Sequence, residues 1–445
     1  MVEPSQPDET STDRERAAGR VVDLCEQAAL VVHLVRWLAL GSVVGVLAGL
    51  SSGAFLETLS WSTNVRRSHG WLLFLLPVAG LAVGLIYHYL GGRSGGGNTL
   101  IIEEIHEPVA WVPRRMAPLV FGGTVVTHLF GGSAGREGTA IQMSGSLTDA
   151  FSRLFRLRPA DRRLLLIAAI SGGFAAVFGV PIAGCVFGLE VQAVGRLRYD
   201  ALVPALSASV VGDLVVRGLG VKHTPLPDLG TIHLDAGLAA KVALAGLVFG
   251  LASIVFVELI HAIKDGLTAA VRWAPARPVV GGIAVVVLVG VVGSREYLGL
   301  SIPLITKATT GGAGIVGAAF ALKLLFTAIT LGSGFQGGEV TPLFVIGACL
   351  GVTMGRLLDV PVPLMAAIGF VAVFAGAANT PLACTVMGVE LFGGGVVVPF
   401  AIGCIVSYVF SSHRGIYTSQ RIDSPKGARS IPTMIKLADL RHRRR

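Results

Sequence analysis

Apolar stretches recur along almost the whole chain, at 38–56, 71–90, 242–257, 279–293, 312–331 and 396–410, with short polar punctuation between them. Several approach the roughly 20 residues that an α-helix needs to cross a bilayer. Others are shorter and interrupted by Gly or Pro. The pattern predicts an all-α polytopic membrane protein with many broken helices. The length of 445 residues would allow two or three soluble domains, but 53% hydrophobic residues, 14% charged residues and a mean hydropathy of +0.72 exclude them. The 59 glycines refine the picture. Small residues let membrane helices approach closely, and glycine-rich breaks at bilayer depth are tolerated where the unwound backbone lines a cavity.

Against this background two short stretches each set a carboxylate among glycines: Gly132-Ser133-Ala134-Gly135-Arg136-Glu137-Gly138-Thr139 and Gly334-Phe335-Gln336-Gly337-Gly338-Glu339-Val340-Thr341. At an offset of 202, four of the eight positions are identical and Glu137 coincides with Glu339. A charged side chain at bilayer depth costs about 2.5–3.5 kcal/mol on insertion scales and marks a functional site by default. A second match pairs 174–190 with 374–390 at an offset of 200, with seven of seventeen positions shared. Each copy places a proline (Pro181, Pro381) ahead of an apolar helix that ends in glutamate (Glu190, Glu390). Proline belongs in a first helical turn, so each copy is expected to start a helix inside the protein.

The order of features is the same in both halves, so the chain reads as a duplicated unit. We expect a polar cytoplasmic segment at 1–28, a first membrane repeat at 29–216, a linker with two prolines and two histidines at 217–235, a second repeat at 236–422 and a basic cytoplasmic tail at 423–445. Paired broken helices in repeated halves mark transporters whose site lies at the repeat interface near the midplane. The sequence leaves the relative orientation of the repeats open.

The formal charge of +9 sits largely in short loops and in the run Arg441-His442-Arg443-Arg444-Arg445. It fits cytoplasmic retention of that tail, and a basic rim would draw anions; a nucleic-acid partner is not expected. Cys185, Cys349, Cys384 and Cys404 fall in apolar segments without ligand-like spacing, and Cys25 lies near the polar start. Residues 1–28 lack the apolar core of a secretory leader, and 1–20 are expected to be disordered or loosely attached.

A glycine-rich break before a helix leaves free N–H groups at a positive dipole end, which is an anion site. Two such ends, at 135–139 and 337–341, are expected to face one anion. Ionised, the Glu137 carboxylate can occupy that site itself; protonated, it loses its attraction and swings away. One group thereby couples anion passage to proton passage. An ion pair with Arg136 is the purely structural alternative. The run Gly332-Ser333-Gly334-Phe335-Gln336-Gly337 matches a dinucleotide fingerprint in letters only, since it follows an apolar helix outside any βαβ pattern.

The sequence resembles the CLC family of chloride channels and anion/proton antiporters across essentially the whole membrane region. Gly135-Arg136-Glu137-Gly138 looks like the family's gating-glutamate motif, and Gly337-Gly338-Glu339-Val340-Thr341-Pro342 falls where its second anion loop lies. The proline-led segments are similar to its dimer-interface helices, and Tyr417 stands where the family places an anion-coordinating tyrosine. Departures are informative. Thr139 replaces a proline, Asn98 in Gly97-Asn98-Thr99 replaces a serine, Glu339 and Val340 replace an apolar pair, and Val191 stands where chloride/proton exchangers carry an internal proton-transfer glutamate. Together they resemble the fluoride-exporting branch.

That resemblance implies a CLC-type fold of two repeated halves with broken and tilted helices. It also implies a homodimer with one pore per subunit, and fluoride/proton exchange at the cell membrane without organic cofactor or metal. Chloride/proton exchange or passive chloride conduction is the alternative within the same fold. Fluoride is small and a strong hydrogen-bond acceptor. The expected donors are the Asn98 amide, the Thr341 and Tyr417 hydroxyls, and groups of Gly135, Arg136, Gly138 and Val340. Glu137 and Glu339 are expected to carry the proton.

Other positions carry weaker expectations. Lys323 suits a positive potential at the inner mouth, an ion pair or a snorkelling side chain. Glu103, Glu104, His106 and Glu107 are expected to orient the Asn98 loop through ion pairs rather than to bind metal. His88 and His128 are expected to be satisfied core residues, and Asn379 and Thr380 to cap a helix. A serine hydrolase built on Ser133 or Ser333 with His128 is the alternative from another functional class.

Overall fold

The computed structural model describes residues 24–427 and 434–443. Most of the polar start and parts of the basic tail therefore lie outside the described residues. The first half contributes α1 (Leu24–Ser68), α2 (Leu76–Ile86), α3 (Gly97–His106), α4 (Met116–Leu129), α5 (Glu137–Leu154), α6 (Pro159–Phe178), α7 (Pro181–Glu190) and α8 (Leu202–Gly218). The second half contributes α9 (Ala236–Ala270), α10 (Arg277–Val292), α11 (Ile302–Thr309), α12 (Ala319–Gly332), α13 (Val340–Leu358), α14 (Val362–Ala378), α15 (Pro381–Phe392) and α16 (Val397–Phe410). Among the described residues six helical stretches are long and apolar enough to cross a bilayer, and the remaining apolar helices run 10–17 residues. The fold is all-α and multi-pass.

Chain punctuation sets the helix ends. Residues 221–235 form no regular element, and α9 starts where the Asp235 carboxylate accepts from the Leu238 N–H at 2.7 Å. Gly179 (φ +73°) ends α6 and Asn379 (φ +59°) ends α14 in left-handed conformations. Helices α6 and α14 are buried along nearly their whole length, so they form the centre of the molecule.

The two halves are inverted relative to one another. Glu190, at the end of α7, accepts from the N–H groups of Leu382 (3.1 Å) and Ala383 (2.8 Å) at the start of α15. Glu390, at the end of α15, accepts from Ile182 (2.9 Å) and Ala183 (2.7 Å) at the start of α7. Each helix thus supplies the N-terminal cap of the other, which is possible only if they run antiparallel. Nearby, Phe174 and Phe374, which are equivalent in the sequence repeat, stack at 6.1 Å with ring planes 11° apart. The capping expected of Asn379 and Thr380 is displaced: the glutamates cap α7 and α15, the Thr380 side chain makes no cap bond, and Asn379 instead bonds the Arg414 carbonyl (3.1 Å) and Gln420 (2.8 Å).

The chain's end packs on one face. A small sheet pairs β1 (Ala193–Val194) in parallel with β2 (Arg421–Ile422), and β2 antiparallel with β3 (Ile435–Lys436), ahead of α17 (Leu437–Arg443). Arg421 pairs with Glu107, Lys436 with Glu103 (3.4 Å), and Arg441 with Asp265 on α9 (3.3 Å). The start of α1 joins the start of α6 through Arg36–Asp161 (2.5 Å).

Candidate functional site

The two glycine-carboxylate stretches meet at the centre. Gly135 and Gly338 form an antiparallel bridge: the Gly135 N–H donates to the Gly338 carbonyl at 2.6 Å, and the Gly338 N–H to the Gly135 carbonyl at 2.9 Å. The bridge brings the starts of α5 and α13 together. It also uses up the Gly135 N–H, which is therefore not free for an anion. A Cβ on Gly338 would sit 2.8 Å from the Gly138 nitrogen, so this approach requires glycine.

Glu137 is fully buried at the junction. Its Oε2 accepts from the Arg136 N–H (3.1 Å) and from the Thr341 N–H (3.0 Å) in the first turn of α13, and its Oε1 accepts from the Thr341 hydroxyl. The carboxylate thus occupies an amide- and hydroxyl-lined pocket at a helix N-terminus, the environment that attracts anions. The contact with Arg136 is looser: Nε lies 3.6 Å from Oε1 and makes no hydrogen bond. The Gly138 and Val340 N–H groups lie in first turns and have no intrahelical acceptor.

Cavities lie on either side. One of about 370 Å³ is lined by Asn98, Gln142, Glu339, Tyr417 and the 332–337 break, with Lys264 and Arg277 further out. The other, about 40 Å³, is lined by Arg136, His223, Thr341 and Phe344. One donor expected to meet the anion is unpaired: the Tyr417 hydroxyl is buried without a hydrogen-bond partner, and the acceptor Oδ1 of Asn98 is buried unpaired beside its amide nitrogen. The space left by the missing Gly138 side chain gathers the rest, with Asn98 Nδ2 2.8 Å and Glu339 Oε2 3.7 Å from where a Cβ would stand. Glu339 makes no ion pair among the described residues and faces the larger cavity.

Sequence reasoning missed the groups that hold Tyr417 in place. The Ile416 N–H donates to the Ala377 carbonyl (2.9 Å). Gln420 donates to the carbonyls of Val191 (3.1 Å) and Ala378 (3.0 Å). Lys426 binds the Asn379 side chain, the Tyr408 carbonyl (2.8 Å) and the Ser411 hydroxyl (2.8 Å) at the end of α16. Polar residues in a non-repeated loop carry no periodic signal that would reveal them.

Lys323 neither forms an ion pair nor snorkels. It is fully buried, and its Nζ donates to Ser133 Oγ (2.9 Å), Ser301 Oγ (2.9 Å) and the carbonyls of Gly299 (2.7 Å) and Tyr297 (3.2 Å), all neutral oxygens. It braces the segment leading to Glu137. His88 is also corrected: it is exposed beside Tyr89, in a turn where the helix breaks. His128 is buried with its ring nitrogens facing the carbonyls of Thr124 (2.9 Å) and Ala134 (3.0 Å). No Ser–His pair forms, since Ser133 bonds Thr327 and Lys323 while Ser333 donates to the Thr330 carbonyl. The acidic cluster is engaged by cations: Glu104 meets Arg93 (2.5 Å) and Arg162 (3.3 Å), while His106 contacts the Gln192 carbonyl (2.8 Å).

Comparison with known proteins places this geometry in a family. The family profile described as voltage gated chloride channel matches residues 79–412. The chain belongs to this family, the CLC channels and antiporters. It is 47% identical over 422 residues to a chloride/fluoride channel protein of Pseudomonas syringae pv. tomato, covering 94% of this chain and 93% of the relative. It is 27% identical over 410 residues to the H(+)/Cl(-) exchange transporter ClcA of Salmonella typhi, covering 85% and 86%. Among solved structures it is similar to a CLC-type fluoride/proton antiporter, with TM-score 0.85 and 34% identity over 87% of this chain and 98% of that one. A cyanobacterial Cl-/H+ antiporter shares the fold with TM-score 0.70 at 19% identity, over 85% and 93%. This CLC protein is thus an integral membrane protein of a family of transporters and channels.

Proposed function

We propose that this CLC protein is a fluoride/proton antiporter that exports fluoride across the cell membrane using the inward proton gradient. The observation that carries this reading is the Glu137 carboxylate, buried between two cavities and bound by Thr341 and the Arg136 N–H as an anion would be. Fluoride replaces it when it is protonated and withdraws. Asn98, Tyr417 and Thr341 supply donors, with the first-turn N–H groups of Gly138 and Val340. Glu339 takes the proton onward into the larger cavity, since Val191 cannot. Support comes from the 47% identical relative and the 34% identical structural neighbour, whose names both mention fluoride.

The basic tail sets its face as cytoplasmic. A homodimer is part of this reading: Ile182 and Leu382 on the proline-led helices, Leu206 and Leu214 on α8, and Val398 and Ile405 on α16 are exposed apolar groups suited to a second copy.

The test is proton movement in proteoliposomes under an outward fluoride gradient, with chloride as control. Fluoride should drive proton uptake and chloride should not, and Glu137→Gln should abolish the coupling. Proton uptake that persists in Glu137→Gln overturns the role of this residue. Equal flux of chloride and fluoride would instead make the protein a chloride carrier of the same fold.

A further inference from the structure

A separate cavity of about 380 Å³ lies at the end of α1, where its last turn and the Gly70–Leu75 turn meet the connection from α10 to α11. It is remote from the tail face. Arg36 near the start of α1 pairs with Asp161 on that face, and Arg66 lies about 45 Å further along the helix at 1.5 Å per residue. Arg66, Arg67 and Arg295 line the cavity. None of the three forms an ion pair among the described residues. The Arg66 Nε is buried without a hydrogen-bond partner. Glu296, the acidic residue of the lining, is engaged by Lys307 at 2.6 Å.

Three unpaired guanidinium groups in one cavity are not explained by topology. The positive-inside tendency gathers such charges on the cytoplasmic face, and these stand on the opposite one. The guanidinium fork fits oxyanions, which accept two parallel N–H bonds, whereas a halide offers no second oxygen. The volume also far exceeds a dehydrated halide. The rest of the lining is mostly apolar, with Leu73, Leu298, Leu300 and Leu304 beside the hydroxyls of Thr63 and Ser301. Trp61, Trp71 and Phe74 are exposed nearby at 56%, 58% and 64%. Aromatic residues of this kind sit at headgroup level.

We propose that this cavity binds a phosphoryl group, supplied by the headgroup of an anionic phospholipid in the outer leaflet or by free phosphate. Arg66 and Arg295 clamp the oxygens from either side, Arg67 adds charge at the rim, and the leucines receive the apolar part of a lipid.

The test is thermal unfolding of the full-length protein in detergent with three additives at matched ionic strength: inorganic phosphate, short-chain phosphatidylglycerol and short-chain phosphatidylcholine. Phosphatidylglycerol or phosphate should raise the midpoint by about 3–6 °C at saturation, and phosphatidylcholine should not. A shift with phosphatidylglycerol alone assigns the lipid, and a shift with phosphate assigns the free anion. The shift should vanish in Arg66→Gln/Arg295→Gln and need several-fold more ligand in Arg67→Gln, which alters only an exposed position. Absence of any shift in the unsubstituted protein, or an equal shift in Arg67→Gln and the unsubstituted protein, overturns the proposal.

Discussion

Replacing Thr341 by valine removes one hydroxyl from the clasp around Glu137 at almost constant volume. The carboxylate receives three donors: the Arg136 N–H at 3.1 Å, the Thr341 N–H at 3.0 Å and the Thr341 hydroxyl. Valine keeps the second and loses the third. A hydrogen bond to a charged group contributes about 1.5–3 kcal/mol net. At about 1.4 kcal/mol per decade, the balance between clasped and released Glu137 shifts roughly 10- to 150-fold towards release. A gate released without protonation lets the anion pass alone, so proton uptake per exported fluoride should fall. The assay follows fluoride with an electrode and external pH together in the same liposomes. The hydroxyl is also a fluoride donor in our reading, so the fluoride concentration for half-maximal flux should rise as well, and the two effects separate by titration. Thr341→Ser keeps the hydroxyl and should retain most of the coupling. An unchanged proton-to-fluoride ratio in folded Thr341→Val, or equal behaviour of Val and Ser, refutes this account.

The reciprocal caps predict that Glu190→Ala and Glu390→Ala each lower stability in detergent by about 2 kcal/mol or more, because two N–H groups lose a shared carboxylate. Glu190 is the more deeply buried and should cost more, and the double variant should depart from additivity because both act on one helix pair; unaltered melting of the single variants contradicts the capping geometry. At the tail, Arg421 hydrogen-bonded to Glu107, with Lys436 nearby, holds the Glu107 carboxyl below its usual value. A depressed carboxylate stabilises above its unfolded value, about 4.3, and that contribution disappears as pH falls through the folded one. Release of the C-terminal segment, read from a fluorophore on α17, should therefore grow slightly as pH drops below about 4 and lose this step in Glu107→Gln; the pair is exposed, so the effect is small. An identical acid profile in Glu107→Gln rules the contact out.

The site was legible where the sequence repeats itself and obscure where it does not. Glu137 and Glu339 are marked by a repeated carboxylate among glycines at bilayer depth, and Thr341 by its place in the same repeat; all three lie around the Gly135–Gly338 bridge. Shared letters give the order of features but not their direction; the inversion lies in Glu190 and Glu390 each capping the other's helix. The shared glutamates form a visible motif, yet local propensity points to Asn379 and Thr380 as caps, because propensity alone does not include the partner helix. Lys323 eluded the sequence for a related reason. An ion pair is only one of the readings its sequence position allows, and hydroxyls and carbonyls from two segments, Ser133 and 297–301, satisfy the ammonium instead. Gln420 and Lys426, which fix the Tyr417 loop, act through backbone carbonyls that no side-chain pattern marks.

Gly138 is where the anion and proton routes would have to part. On one side of it the Glu137 carboxylate is held by Arg136 and Thr341 next to the 40 Å³ cavity. On the other, Asn98 Nδ2 and Glu339 Oε2 approach to within 2.8 and 3.7 Å of the place a side chain would fill. The Asn98 amide suits an anion and repels no proton carrier, whereas an ionised Glu339 would repel fluoride entering the same cavity. In the proposed cycle, fluoride passes most readily when Glu339 holds the proton that Glu137 surrendered, so the two carboxylates act together and Val191 needs no part in it. Gly138→Ala intrudes on both routes at once: the methyl would strike Asn98 Nδ2 and crowd Glu339, so the anion and proton fluxes must fall together, whereas a change confined to one flux would place the other on a different path.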